Sequence, residues 1–156
     1  MFPIRTILHP TDFSPGSDVA YELACSLAKE RGARLIVLHV YPPPRTHGEV
    51  VARRSPDSYE EALWDVIRKY EAPPGVTVGH RLEEGDTVED ILTAAQECGA
   101  DLIVMGTHGR TGLRRVLMGS VAENVVRRAP CAVLTVRDHG PVGGVPPEQT
   151  AVTANA

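Results

Sequence analysis

Short apolar runs rich in β-branched residues alternate along this chain with longer stretches of helical period, and that alternation restricts it to a parallel sheet joined by crossover helices. Five runs read as strands: Ile4 to Leu8, Arg34 to Val40, Val76 to Leu82, Asp101 to Met105 and Cys131 to Val136. Between the first two, Val19, Ala20, Leu23, Ala24 and Leu27 recur at helical spacing, and Gly32 follows where a left-handed cap fits. A second helical stripe is Tyr59, Leu63, Val66, Ile67 and Tyr70, ended by Pro73-Pro74-Gly75. A third uses Val88, Ile91, Leu92 and Ala95, with Asp86 as N-cap and Glu89 three residues on, close to a capping box. A fourth, from about Val121 to Arg128, follows Gly119 and is stopped by Pro130. The expected architecture is one α/β domain over residues 1–137, an open five-stranded parallel sheet in the order 3-2-1-4-5 with helices on both faces, in the Rossmann-like manner.

Two segments stand outside this order. The proline-rich connection Tyr41 to Pro56 is longer than an ordinary strand-to-helix turn and reads as a lid or a partner-binding loop. The tail, residues 138–156, has no periodicity and is expected to be disordered. A chain of 156 residues needs only one core, since folding at this length buries roughly 70% of the surface the unfolded chain exposes. Aromatics make up only 4% and the net charge is −4, which argues against a protein that stacks bases along a basic groove, so nucleic acid is not an expected partner. No apolar run approaches the ~20 residues of a membrane span, and Met1 to Arg5 lacks the features of a signal peptide, so the expected location is the cytoplasm with no membrane partner. Cys25, Cys98 and Cys131 show no CxxC spacing and fall in apolar segments, as buried reduced thiols do. Arg53-Arg54 and Arg127-Arg128 read as solvated charge.

In an open parallel sheet, ligands bind beyond the carboxyl ends of the strands where the strand order reverses, here between the first and fourth strands. Both of those strands run into unusual loops: Pro10-Thr11-Asp12-Phe13-Ser14, and Gly106-Thr107-His108-Gly109-Arg110-Thr111-Gly112. Closely spaced glycines permit positive φ and let main-chain amides approach phosphate oxygens without a Cβ in the way. Gly119-Ser120 then opens a helix whose first amides are unpaired and whose dipole favours an anion. Ser120 and Thr107 can add hydroxyl donors, and Arg110, Arg114 and Arg115 can add charge. A structural alternative stays open, because Ser120 with Glu123 three residues on is also a capping box that would use the hydroxyl on the helix itself.

The spacing Gly106, two residues, Gly109, nine residues, Gly119-Ser120 resembles the glycine motif of the ATP-binding branch of the universal stress protein family. The longer strings from Met105 to Leu113 and from Leu117 to Glu123, and the opening Ile7 to Ser14, are similar to the family as well. The resemblance implies the adenine nucleotide alpha hydrolase-like fold and an adenine nucleotide as ligand: ATP, or AMP or ADP. It implies that Gly106, Gly109, Gly119 and Ser120 surround the phosphates and ribose, with Thr107, His108, Arg110 and the backbone at Val121 nearby. Asp12 would sit by the ribose or phosphate end, Pro10 and Thr11 would flank the base, and Val40 would border the adenine. It further implies a homodimer paired through the last strand, Cys131 to Val136, although Ala132 stands where many members of the family carry proline.

A carboxylate beside a polyphosphate is repulsive unless a divalent cation lies between them, so Asp12 reads as a magnesium-assisted contact or a ribose hydrogen bond, and alternatively as an Asx turn. His9, His39 and His108 gather near the crevice without HxxxH or CxxC spacing, and read as local hydrogen-bonding groups rather than zinc ligands. Walker and GxGxxG signatures are missing, which excludes a motor ATPase. The leading expectation is a nucleotide-binding stress-response regulator acting as a dimer. A slow ATPase or nucleotide-dependent phosphotransferase, with Asp12 holding a cation and Ser120 or His108 assisting, and an interaction module with no nucleotide are the competing readings.

Overall fold

The structure, a computed structural model, describes residues 3–43, 56–108 and 118–137. The connection after the second strand, the glycine-loop residues Gly109, Arg110, Gly112, Arg114 and Arg115, and the expected disordered tail lie outside the described residues. The elements are β1 (Thr6–Pro10), α1 (Pro15–Arg31), β2 (Arg34–Tyr41), α2 (Pro56–Ile67), β3 (Val78–Glu84), α3 (Thr87–Glu97), β4 (Leu102–Gly106), α4 (Ser120–Arg128) and β5 (Ala132–Val136). All four strand pairings are parallel, in the order β3-β2-β1-β4-β5.

Strand alternation divides the core between the two faces of the sheet. On one face Ile7, Leu35, Val37, Leu102 and Val104 pack against Ala20, Ala24, Cys25 and Ala28 of α1 and Ile67 of α2. On the other, Leu8, Leu38, Ile103 and Met105 meet Ile91, Ala94 and Ala95 of α3 and Ala122 and Val125 of α4. The small residues of α1 and α3 allow close approach of helix to sheet. Ser14 caps α1 through its side chain, which accepts from Ser17 N–H, and Gly32 at φ 62 closes the helix in the left-handed region. Asp86 caps α3 by accepting from Val88 N–H and Glu89 N–H, each at 3.0 Å.

β1 and β3 lie about two residues later than the apolar pattern suggests. The side-chain pattern stops at Leu82 while the main-chain ladder continues to Tyr41↔Glu84, and Asp101 ties the entry to β1 by accepting from Arg5 N–H and Thr6 N–H. α2 ends at Ile67, so Tyr70 is not on it. Lys69 and Tyr70 instead close i→i−3 turns onto Val66 O and Ile67 O. Arg127 and Arg128 are solvated as expected, and they are also paired: Arg127 with Glu123 one turn back, and Arg128 bidentately with Glu89, which ties α4 to α3. Cys25 is buried, whereas Cys98 and Cys131 are only half-buried because each lies where an element ends or begins, which corrects the expectation of three buried thiols.

Candidate functional site

β1 and β4 pair only at Ile7↔Leu102 and Leu8↔Ile103, and beyond these residues the two strands part. His9 Nδ1 then takes the place of a ladder amide, 2.8 Å from Val104 O. A carbonyl only accepts, so Nδ1 carries the proton and Nε2 is left as an acceptor, fully buried and without a partner. Burial lowers the His9 pKa to about 4 against the opposing pull of the Val104 bond, so the ring is neutral at pH 7.

A cleft of about 290 Å³ opens where the strands part. Every expected site residue that is described lines it: Pro10, Thr11 and Asp12 after β1, Val40 at the end of β2, Gly106, Thr107 and His108 after β4, and Gly119, Ser120 and Val121 at the start of α4. Gly109 and Arg110 lie outside the described residues. The two unusual loops therefore meet at one crevice. Leu38, Ile91, Met105, Ser17 and Thr87 also line it and were not anticipated. Leu38, Ile91 and Met105 are all buried core residues whose periodicity signals packing, and only the topology could have revealed their second role.

The cleft has an apolar end and a polar one. Leu38, Val40, Ile91 and Met105 form the apolar wall. Along β2 the odd-numbered residues bond to β3, as Leu35 N–H does to Thr77 O and Tyr41 O does to Gly85 N–H. Even-numbered residues face β1, and the last partner there is Leu38 O, which takes Thr11 N–H at 2.8 Å. Val40 is the next even residue, so its N–H and C=O are directed to the side on which β1 has ended.

At the polar end, Gly119 N–H donates to Thr107 O at 2.7 Å and sets the N-terminus of α4 against the end of β4. Gly119 is the N-cap and provides no side-chain cap, so the capping-box reading of Ser120 is corrected: Ser120 is the first helical residue and Glu123 turns away to Arg127. The expectation of positive φ in the loop is corrected at Gly106, the one of its three glycines that is described. Among the described glycines only Gly32, Gly75 and Gly99 have positive φ, and Gly119 sits at φ −72. Close packing is what these glycines provide: a Cβ on Gly106 would lie 3.2 Å from Gly16 O, and one on Gly119 would lie 3.1 Å from Thr107 O.

In the β1–α1 turn, every polar atom of Thr11 is engaged within the protein. Its N–H goes to Leu38 O, its C=O accepts from His39 Nδ1 at 2.8 Å, and its hydroxyl binds Phe13 N–H, Ser17 Oγ and Tyr70 Oη. Asp12, half-buried on the cleft wall, accepts Ser14 N–H through Oδ1 at 3.0 Å, so the Asx turn is present and coexists with a position at the cleft. Phe13 occupies the left-handed region at φ 61, which nothing in its residue type signals. His108 Nδ1 lies 2.9 Å from Thr107 Oγ1, so each of the three histidines bonds locally. No group of three or more metal-ligating side chains occurs among the described residues.

The universal stress protein family profile matches residues 3–137. The chain belongs to the universal stress protein family. Universal stress protein MJ0531 of Methanocaldococcus jannaschii is 37% identical over 143 residues, covering 85% of this chain and 82% of its own length. Among solved structures, the universal stress protein UspA of Lactobacillus plantarum superposes with a TM-score of 0.70 at 25% identity, over 86% of this chain and 98% of that one. A universal stress protein crystallised in complex with cAMP superposes with a TM-score of 0.60 at 26% identity, over 86% of this chain and 97% of that one. The sheet order and flanking helices described above are thus the universal stress protein fold.

Proposed function

We propose that the cleft binds an adenine nucleotide, ATP as its magnesium complex, and that the chain is a stress-response regulator acting as a cytoplasmic homodimer. The observation that carries this reading is the two-ended cleft. An apolar slot with the Val40 main-chain N–H and C=O directed to the side on which β1 has ended suits a purine edge, and the α4 N-terminus beside Gly106 and Thr107 suits phosphate. Gly109 and Arg110 belong to the same phosphate loop in this reading. The relative solved with cAMP supports the adenine base and a phosphate group as ligand chemistry. Asp12 would face the ribose or a magnesium ion between itself and the phosphates.

β5 is an edge strand with Ala132 exposed and Leu134 37% exposed. A strand edge that pairs with no other strand among the described residues invites pairing with a second copy, which supports the dimer. Protein purified without added nucleotide should release ATP, ADP or AMP on denaturation, identified by mass, and stripped protein should take up ATP with magnesium in calorimetry. Absence of both overturns the reading, and turnover abolished by Asp12→Asn would convert it to a slow ATPase.

A further inference from the structure

The strained turn that carries Asp12 is held by a residue far along the chain that does not itself line the cleft. Phe13 sits at φ 61, a conformation that a bulky residue rarely keeps unless its surroundings enforce it. Thr11 Oγ1 accepts Phe13 N–H at 3.1 Å and Ser17 Oγ–H at 2.9 Å, so its single proton goes to Tyr70 Oη at 3.2 Å. The Tyr70 proton in turn goes to Asp18 Oδ1 at 2.7 Å. Burial, helped by the bond to Asp18, pushes the Tyr70 hydroxyl up to about 12, which keeps it a proton donor to Asp18. Its main chain is anchored too, since Tyr70 O accepts from His80 Nε2 at 2.9 Å. From the other side the Phe13 ring stacks against His39, centroids 4.3 Å apart, and His39 holds Thr11 O.

We infer that Tyr70 is a positioning residue for the nucleotide: its hydroxyl, accepting from Thr11 and donating to Asp18, locks the turn Thr11-Asp12-Phe13 and so sets where Asp12 meets the ligand. This rests on the reading of the cleft as a nucleotide site. The relay has a fixed direction, Ser17 to Thr11 to Tyr70 to Asp18, and Tyr70 is its one link from outside the β1–α1 region.

The test is calorimetry of ATP with magnesium on the wild-type chain, Tyr70→Phe, Asp12→Ala and the double variant. Tyr70→Phe weakens binding about tenfold in the wild-type background and by less than about twofold once Asp12 is alanine, because a residue acting through the turn couples to it. Equal losses in both backgrounds, or no loss in either, overturn the inference. Should Tyr70→Phe fail to fold, Asp18→Asn and Asp18→Ala replace it. Both remove the charge, but only asparagine keeps an acceptor oxygen, so binding must survive in Asn and fall in Ala; identical behaviour overturns the inference. If the wild-type chain takes up no ATP, the function reading fails by itself, and the positioning role is then judged on nucleotide-free protein. There the Phe13 and Ser14 amides exchange at least about tenfold faster in Tyr70→Phe. Unchanged exchange overturns it.

Discussion

Replacing Gly106 with alanine tests whether this glycine serves the fold or the ligand. Its φ is not positive, so alanine meets no backbone strain. The added Cβ instead meets Gly16 O at 3.2 Å, Gly16 C at 3.3 Å and His108 O at 3.5 Å, all main-chain atoms. Gly16 belongs to the first turn of α1, held down by the Ser14 cap and by the buried hydroxyl of Ser17, so it cannot rotate out of the way as a flexible side chain could. Overpacking of this kind costs about 1–3 kcal/mol. At roughly 2–4 °C per kcal/mol for a domain of this size, the midpoint of thermal unfolding should fall by about 2–12 °C. ATP affinity should fall with it, because a displaced α1 carries Ser17 and the Asp12 turn away from β4. Scanning calorimetry followed by titration separates the two effects. A variant that melts within about 1 °C of wild type yet loses ATP would refute the packing argument and return Gly106 to a role in ligand approach alone.

His9 supplies a pH dependence of known sign. With a folded pKa of about 4 against 6.5 for the free group, the unfolded chain binds more protons between these values; stability is therefore fully present above about pH 6.5 and drops by about 3 kcal/mol as pH falls to 4. Urea titrations at several pH values should show His9→Gln lacking this part of the slope. Under native conditions iodoacetamide should alkylate Cys98 and Cys131 before Cys25. All three thiols are pushed up by burial, but only Cys25 is also buried away from the reagent. Leu134→Lys, on the exposed edge of β5, should shift light scattering from dimer to monomer without lowering the melting temperature by more than about 1–2 °C. A variant that remains a dimer removes β5 from the interface.

The sheet, its order and the two loops at the crevice were legible because each rests on a local pattern: β-branched runs, helical stripes, and glycine or proline at fixed offsets. The roles within the loops were less so, because a residue type states what an atom can do and not whether another atom has already engaged it. Thr11 illustrates this. The resemblance implies that Thr11 flanks the base, and the sequence does not show that its amide, carbonyl and hydroxyl are engaged by Leu38, His39, Phe13, Ser17 and Tyr70. Gly106 shows a second limit, since nothing in a glycine distinguishes positive φ from a close backbone crossing, and at Gly106 the crossing is what the structure has.

Tyr70 was hidden most completely, because it fits the helical period of α2 although the helix has ended three residues earlier. Its hydroxyl reaches Thr11 across 59 positions of sequence, a distance no periodic pattern encodes. The same geometry explains why the Asx turn and the cleft-facing reading of Asp12 are compatible. One carboxylate oxygen fixes the turn by accepting Ser14 N–H, and the Thr11–Tyr70 link fixes the turn against the rest of the molecule. On the proposed function, a carboxylate anchored in this way is in place before a ligand arrives, so binding need not order it first, and the entropy of arranging the site is spent during folding.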